Sequence, residues 1–358
     1  HTQHAVVIRW RRCSNMLAAL LSTGLTTAHV ALPYGVVDAH VHVVTSGNGI
    51  AYNWARDPSS LTPPRSCPCA PPCFCNWTMA DFRTASAPTW EVDQVVFCEV
   101  DAHSDDWLRE ATWVSEGGAQ LRPGSGNPRI GAIVAATPPG FAWRSVEAYA
   151  HDLDQLQRLT LARGVRPTQD LIDSLPSGAL QHFNATVTAA FRELGRRHLV
   201  VDLQAGNVVN GKTRALATVA ESTTFIVEHF GGAPIQGSSD DLAAWEGEIK
   251  SLAKLSNIVC FQLGGVVDTF HNVSALEDFV TKVTPFLNAA LDAFGYTRTC
   301  FENNWFWVNL GPPFHSLYDR WPEVLYNVLV KRGASPGEIR NVLRENSIRV
   351  YNMSSTSR

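Results

Sequence analysis

Eight short runs rich in β-branched residues recur along this 358-residue chain, and helical spacing follows most of them. The runs are VVDAHVHVV near 36, QVVFCEV near 94, RIGAIVAA near 129, LTLARGVR near 159, HLVVDLQ near 198, TTFIVEHF near 223, NIVCFQLGG near 257 and YTRTCFENN near 296. Between them lie helical patterns such as VEAYAHDLDQLQRL, ALQHFNATVTAAFRELGRR, DDLAAWEGEIKSLAKL and ALEDFVTKVTPFLNAALDAFG. The last two open after SSD and NVS, which supply N-cap residues. Strands that are apolar almost throughout need cover on both faces, which parallel strands with crossover helices provide. Count and length therefore predict an α/β chain built as a closed (β/α)8 TIM barrel over 36–353, with an N-terminal extension at 1–35 and a tail at 354–358.

One segment breaks the rhythm. Residues 45–88 are long, rich in Pro, Cys and Ser, and leave the C-terminal end of the first strand, so they read as a loop partly covering a barrel-mouth site. Cys67, Cys69, Cys73 and Cys75 sit there at spacings that do not match the paired motif of a zinc ribbon. Local disulfides fit if the protein is secreted, and sequons at Asn76, Asn184, Asn272 and Asn352 are compatible with that. Residues 9–32 have the outline of a secretory signal peptide, but the preferred reading is an N-terminal amphipathic helix packed on the barrel floor. The compartment, cytoplasmic or secreted, stays open.

The chain is 45% hydrophobic and 17% charged, with a net charge of −4 and no block of Lys or Arg. That balance gives no footprint for nucleic acid or an anionic membrane, and points to a small-molecule substrate. A homo-oligomer is compatible with it.

In a barrel, alternate side chains of a strand point inward. Asp38, His40 and His42 are therefore expected to share one face, with the histidines toward the mouth. Other strands end in the same way: Glu99 and Asp101, Arg166, Asp202 and Gln204, His229, Gln262, then Glu302 and Asn304. A buried polar group left unpaired costs about 1–3 kcal/mol, so such a convergence is expected to be a functional rim rather than a set of core residues. Tyr52, Trp54, Trp77, Trp107, Trp305, Phe306 and Trp307 cluster in the rim segments and suggest an apolar or aromatic substrate.

DAHVHV, GVR at 164–166, IVEHFGGAP at 226–234, FQLGG and DAFGYTRTCFENNWFWVN, in this order, resemble the TIM-barrel amidohydrolase superfamily. More narrowly they are similar to its lactonase-like branch, which includes 2-pyrone-4,6-dicarboxylate lactonase and sugar lactonases. The resemblance implies that His40 and His42 are metal-binding or carbonyl-polarising residues of the first strand. It implies that His229 is the sixth-strand ligand or electrophile, in a motif stretched here by one residue, and that Arg166 clamps a substrate carboxylate. Trp305 keeps the eighth-strand tryptophan, whereas Asn304 stands where the pattern has the aspartate that deprotonates water, and Gln262 stands where lysine is common.

An amide cannot take that proton at neutral pH. Glu302 or Glu99 is then a candidate base, as is a histidine free of metal. Zinc held by His40, His42 and His229 would lower the pKa of bound water to about 7 and lessen the need for a base, but the branch also resembles members that work without metal. The expected activity is that of a hydrolase of secondary metabolism, opening a lactone or cyclic ester of an aromatic or polyketide-like molecule. In this reading His40, His42, His229, Asn304 and Glu302 carry catalysis, while Arg166, Glu99, Trp54, Trp305 and Gln262 hold substrate. The alternatives are a decarboxylase-like lyase acting on an aromatic acid, and a degenerate barrel kept as a binding protein.

Overall fold

The computed structural model describes residues 32–45, 48–53, 77–86, 90–118, 128–175, 185–204, 211–265, 276–306 and 317–355. The signal-like segment up to residue 31, the four clustered cysteines, Trp54 and Trp307 lie outside these residues.

All eight anticipated strands form, as β1 (Val36–Val41), β2 (Val92–Cys98), β3 (Arg129–Ala136), β4 (Ala162–Arg166), β5 (Val200–Leu203), β6 (Phe225–Val227), β7 (Ile258–Leu263) and β8 (Thr299–Phe301). They pair in sequence order in one parallel sheet. The Asn304 N–H donates to the His40 carbonyl at 3.1 Å and the His42 N–H to the Trp305 carbonyl at 2.6 Å, so the chain just beyond β8 closes the barrel against β1. Helices such as Ala185–Arg196, Ser239–Leu252 and Leu276–Phe294 lie between strands. Ser238 caps its helix through a reciprocal box with Asp241, as the SSD motif predicts.

The interior is built from alternate residues of the strands. Val37, Ala39, Val96, Cys98, Ala132, Val134, Val200, Ile226, Cys260 and Cys300 form one buried cluster, and Ile348, Tyr351 and Met353 near the C-terminus plug it. Cys260 and Cys300, on neighbouring strands, are disulfide-bonded. Val37 and Ala39 belong to this cluster, so the expectation that Asp38 shares a face with the histidines fails. Asp38 Oδ1 instead accepts the backbone N–H groups of His40 and Asn303, both at 3.1 Å. The physical reason is a register shift between Asp38 and Val41, which turns His40 inward directly after Ala39.

Asp202 and Gln262 share the partner Tyr351 inside the barrel, with Gln262 also acting on His40. The Tyr351 hydroxyl donates to Asp202 Oδ2 at 2.6 Å, and Gln262 Nε2 donates to the Tyr351 oxygen at 3.0 Å and the Ala39 carbonyl at 3.2 Å. Burial, then the nearby Glu228, push the Asp202 carboxyl well above its ordinary range, so it is held here as a buried acid. Tyr351→Phe removes the donor that Asp202 has among the described residues. Urea unfolding is expected to show a loss of about 1–3 kcal/mol, and a loss below a few tenths would show that the contact carries no stability.

Candidate active site

Three histidines meet at the mouth, at the ends of β1 and β6. The His40 ring centroid lies 4.7 Å from that of His42 and 4.6 Å from that of His229. His40 and His42 are buried, while the His229 side chain keeps 12% of its surface exposed and is the histidine that reaches solvent.

Glu302 organises this group. Its Oε1 accepts the His229 backbone N–H at 2.8 Å and lies 3.0 Å from His229 Nδ1, while Oε2 stands 3.4 Å from His40 Nδ1. FQLGG explains how the chain makes room. A Cβ on Gly264 would fall 2.0 Å from the Glu302 carbonyl oxygen, and one on Gly265 would fall 2.2 Å from His229 Nδ1. Behind them the Trp321 indole N–H lies 3.1 Å from both the Leu263 and Glu302 carbonyls, fixing the ends of β7 and β8. His229 and Asn304 hold the left-handed backbone region at φ 51° and 60°, a conformation uncommon outside glycine and found at functional sites.

Glu228, which the sequence reading passed over, is equally central. Arg166 donates to its Oε2 from Nε at 3.0 Å and Nη2 at 2.8 Å, and from Nη1 to Glu99 Oε1 at 3.0 Å. Glu99 Oε2 accepts the Asp101 N–H at 2.7 Å. Arg166 and Glu99 thus stand together at the mouth, joined to one another, and Glu228 completes the group. A signal for Glu228 existed in VEH, where an acid directly precedes the motif histidine at the end of a strand.

The aromatic residue beside the histidines is Phe306, 6.2 Å from the His42 ring and stacked at 5.3 Å on Trp77. Trp305 is fully buried, with its ring against Trp77 and Phe82.

Protonation follows from these contacts. Burial, then the neighbouring His229, His42 and Arg166, hold His40 well below its ordinary value, so it is neutral. Burial and Arg166 lower His42 to about 3. For His229 burial also pulls downward, but the charge and hydrogen bond of Glu302 and the charge of Glu228 outweigh it, and the net shift is upward.

His42 Nδ1 lies 3.1 Å from the Cys98 carbonyl, which only accepts, so neutral His42 carries its proton there and leaves Nε2 bare. That Nε2 lies 3.0 Å from both His40 Nε2 and Asn304 Oδ1. Neutral His40 has one proton to place. At Nδ1 it leaves His40 Nε2, His42 Nε2 and Asn304 Oδ1 as three lone pairs facing one another. At Nε2 it leaves Nδ1 bare toward Glu302 Oε2 and Glu228 Oε1, which are 3.4 and 3.6 Å away. His40 Nδ1 and Glu302 Oε2 are buried without a hydrogen-bond partner among the described residues. Either placement turns lone pairs on one another, which a cation relieves, so the residues fit a divalent metal. The donor sets His40, His229, Glu302 and His40, Cys98, Glu228 each come within reach of one ion. In the first, His229 Nδ1 and Glu302 Oε1 are already paired with one another.

A family model described as Amidohydrolase matches residues 37–353, and the chain belongs to that family. No curated protein matches it in sequence. Among solved structures it is similar to an amidohydrolase from Burkholderia multivorans with bound zinc, at 18% identity, covering 89% of this chain and 100% of that one, with a TM-score of 0.64. It is also similar to a proposed 2-pyrone-4,6-dicarboxylic acid hydrolase from Pseudomonas putida, at 16% identity, 90% and 98% coverage and a TM-score of 0.55. An enzyme named IDCase from Metarhizium anisopliae, in apo form, matches at 14% identity, 89% and 97% coverage and a TM-score of 0.52. At these identities the likeness is one of fold.

Glu302→Gln keeps the shape of the side chain and removes its charge. Proton NMR of the histidine ring is expected to show His229 titrating lower than in the native protein, whereas an unchanged value would remove Glu302 as the cause of its upward shift.

Proposed function

We propose that the protein is a hydrolase that opens a lactone or related cyclic ester of an aromatic or polyketide-like molecule by water attack at the barrel mouth. The observation that carries this reading is the His229–Glu302 pair, with 3.0 Å between Nδ1 and Oε1 and the ring reaching solvent. Hydrolysis needs a group that takes a proton from water and returns it to the leaving oxygen. Asn304 cannot do so, whereas a carboxylate-oriented imidazole can. Glu302 is fully buried and engaged by His229, which suits it to orienting that ring better than to meeting water itself.

His229 Nδ1–H donates to Glu302, which leaves Nε2 to accept the proton as water attacks the carbonyl carbon. The same nitrogen then protonates the ring oxygen as the C–O bond breaks. A divalent ion bound through His40 would supply Lewis acidity that polarises the carbonyl. His42 with Asn304, or Glu228 with Cys98, would complete its ligands. Arg166, bound by Glu228 and Glu99, fixes those two carboxyl groups at the mouth rather than clamping a substrate carboxylate itself. Phe306, stacked on Trp77 next to His42, supports a flat apolar substrate.

One observation favours a second reading. The upward shift of His229 favours the protonated ring, the state needed by an acid that protonates a ring carbon as carbon dioxide leaves. A decarboxylase-like lyase acting on an aromatic acid is that reading.

A panel of aromatic lactones followed by chromatography separates the two. Ring opening is expected, falling about 10²–10⁴-fold in His229→Ala. No ring opening with or without added zinc, together with carbon dioxide release from aromatic acids, would favour the lyase instead.

A further inference from the structure

Cys98 belongs to one of the two ligand pairs that could complete the shell of an ion on His40, and it reaches the histidine cluster. It ends β2 inside the barrel, is the free cysteine among the described residues, and is fully buried with its Sγ 3.8 Å from Glu228 Oε1. The other face of that carboxyl oxygen meets His40 Nδ1 at 3.6 Å. Glu228 Oε2 is taken by two hydrogen bonds from Arg166, so Oε1 is held in place and turned toward the sulfur and the imidazole.

The tautomer of His40 decides between the two places a cation can occupy. His40 Nε2 and His42 Nε2 are 3.0 Å apart, the ordinary length of a hydrogen bond. His42 has its proton on Nδ1, facing the Cys98 carbonyl, so the proton in the bond between the rings comes from His40 Nε2. His40 Nδ1 is then a bare, buried nitrogen without a hydrogen-bond partner among the described residues, facing Glu302, Glu228 and Cys98. Nitrogen, oxygen and sulfur at about 2.0–2.3 Å from a tetrahedral zinc ion lie roughly 3.3–3.6 Å from one another. The observed separations of 3.6 and 3.8 Å fall within a few tenths of that.

Charge points the same way. Among the described residues, Glu99, Glu228 and Glu302 are set against two groups that can carry positive charge, the Arg166 guanidinium and the His229 ring. A buried excess of carboxyl groups is costly unless a cation balances it.

We propose that Cys98 is a metal ligand, and that His40 Nδ1, Glu228 Oε1 and Cys98 Sγ form a three-ligand site for a thiophilic divalent ion such as zinc, with one position left open. Binding releases the thiol proton to solvent and leaves a thiolate and a carboxylate on the dication. A sulfur ligand favours zinc over hard ions such as magnesium or manganese. The inference rests on the reading of this mouth as the active site, and it assigns the metal to the inner side of His40 rather than to His42 and Asn304.

Cobalt(II) tests it, because thiolate ligation gives an intense charge-transfer absorption in the near ultraviolet that nitrogen and oxygen ligands do not give. The full chain is used with Cys13, Cys67, Cys69, Cys73 and Cys75 replaced by serine, so that the cysteine-rich segment cannot contribute. One cobalt per chain with the charge-transfer band is expected. Cys98→Ser in this background is expected to abolish the band and weaken cobalt binding by more than the roughly 10–100-fold that loss of an outer hydrogen-bond partner costs. His42→Ala is expected to keep the band. If Cys98→Ser does not fold, X-ray absorption of the cobalt-loaded background protein reads the sulfur directly, at about 2.3 Å. A bound cobalt with no sulfur in its shell, or binding lost in His42→Ala and unchanged in Cys98→Ser, would overturn the assignment. Ring opening of lactones is measured separately, so either result leaves the proposed reaction to its own test.

Discussion

The Glu302 carboxyl group, fully buried, accepts two hydrogen bonds from His229 and stands 3.4 Å from His40 Nδ1. A carboxylate taken out of water is unstable unless donors surround it, and here the backbone and ring of one residue provide them. The surrounding geometry follows from that requirement. Gly264 and Gly265 have no side chain because one would strike Glu302 and His229, and Trp321 fixes the strand ends that carry these residues. A second carboxyl group, Glu228, does the same on the other side, with Arg166 as its donor. The three histidines thus have fixed orientations before any ligand arrives, which a preorganised site requires.

The barrel could be read from the sequence because its strands are near-continuous β-branched runs, a pattern that only parallel strands covered on both faces produce. That His40, His42, His229, Arg166 and Glu302 converge at one mouth could be read because polar residues are conspicuous at the ends of such runs. Asp38 was misplaced, since strict alternation does not reveal the shift in register that turns His40 inward after Ala39. The shared partner of Asp202 and Gln262 was not legible, because Tyr351 lies 149 residues from Asp202 and no local pattern connects them. Glu228 stood in the shadow of the histidine beside it. Cys98 sits within the apolar run QVVFCEV, and only the folded chain brings it to Glu228.

Hydrolases and an enzyme named IDCase share this fold at low identity, so the fold leaves the reaction open and the side chains must decide it. Because the Asn304 amide cannot take a proton, proton transfer on the proposed reading passes to His229, the ring of the three that reaches solvent. His40 and His42, neutral and buried, are left to hold a cation or the substrate carbonyl. The aromatic pair of Phe306 and Trp77 forms the wall beside them.

The central claim is that lone pairs turned on one another around His40 make this cluster a cation site. Anomalous diffraction from crystals soaked in zinc tests it most directly. The expected result is a peak about 2.0–2.1 Å from a ring nitrogen of His40, with His229 still paired to Glu302. At saturating zinc, a map with no peak within coordination reach of His40 would contradict the account.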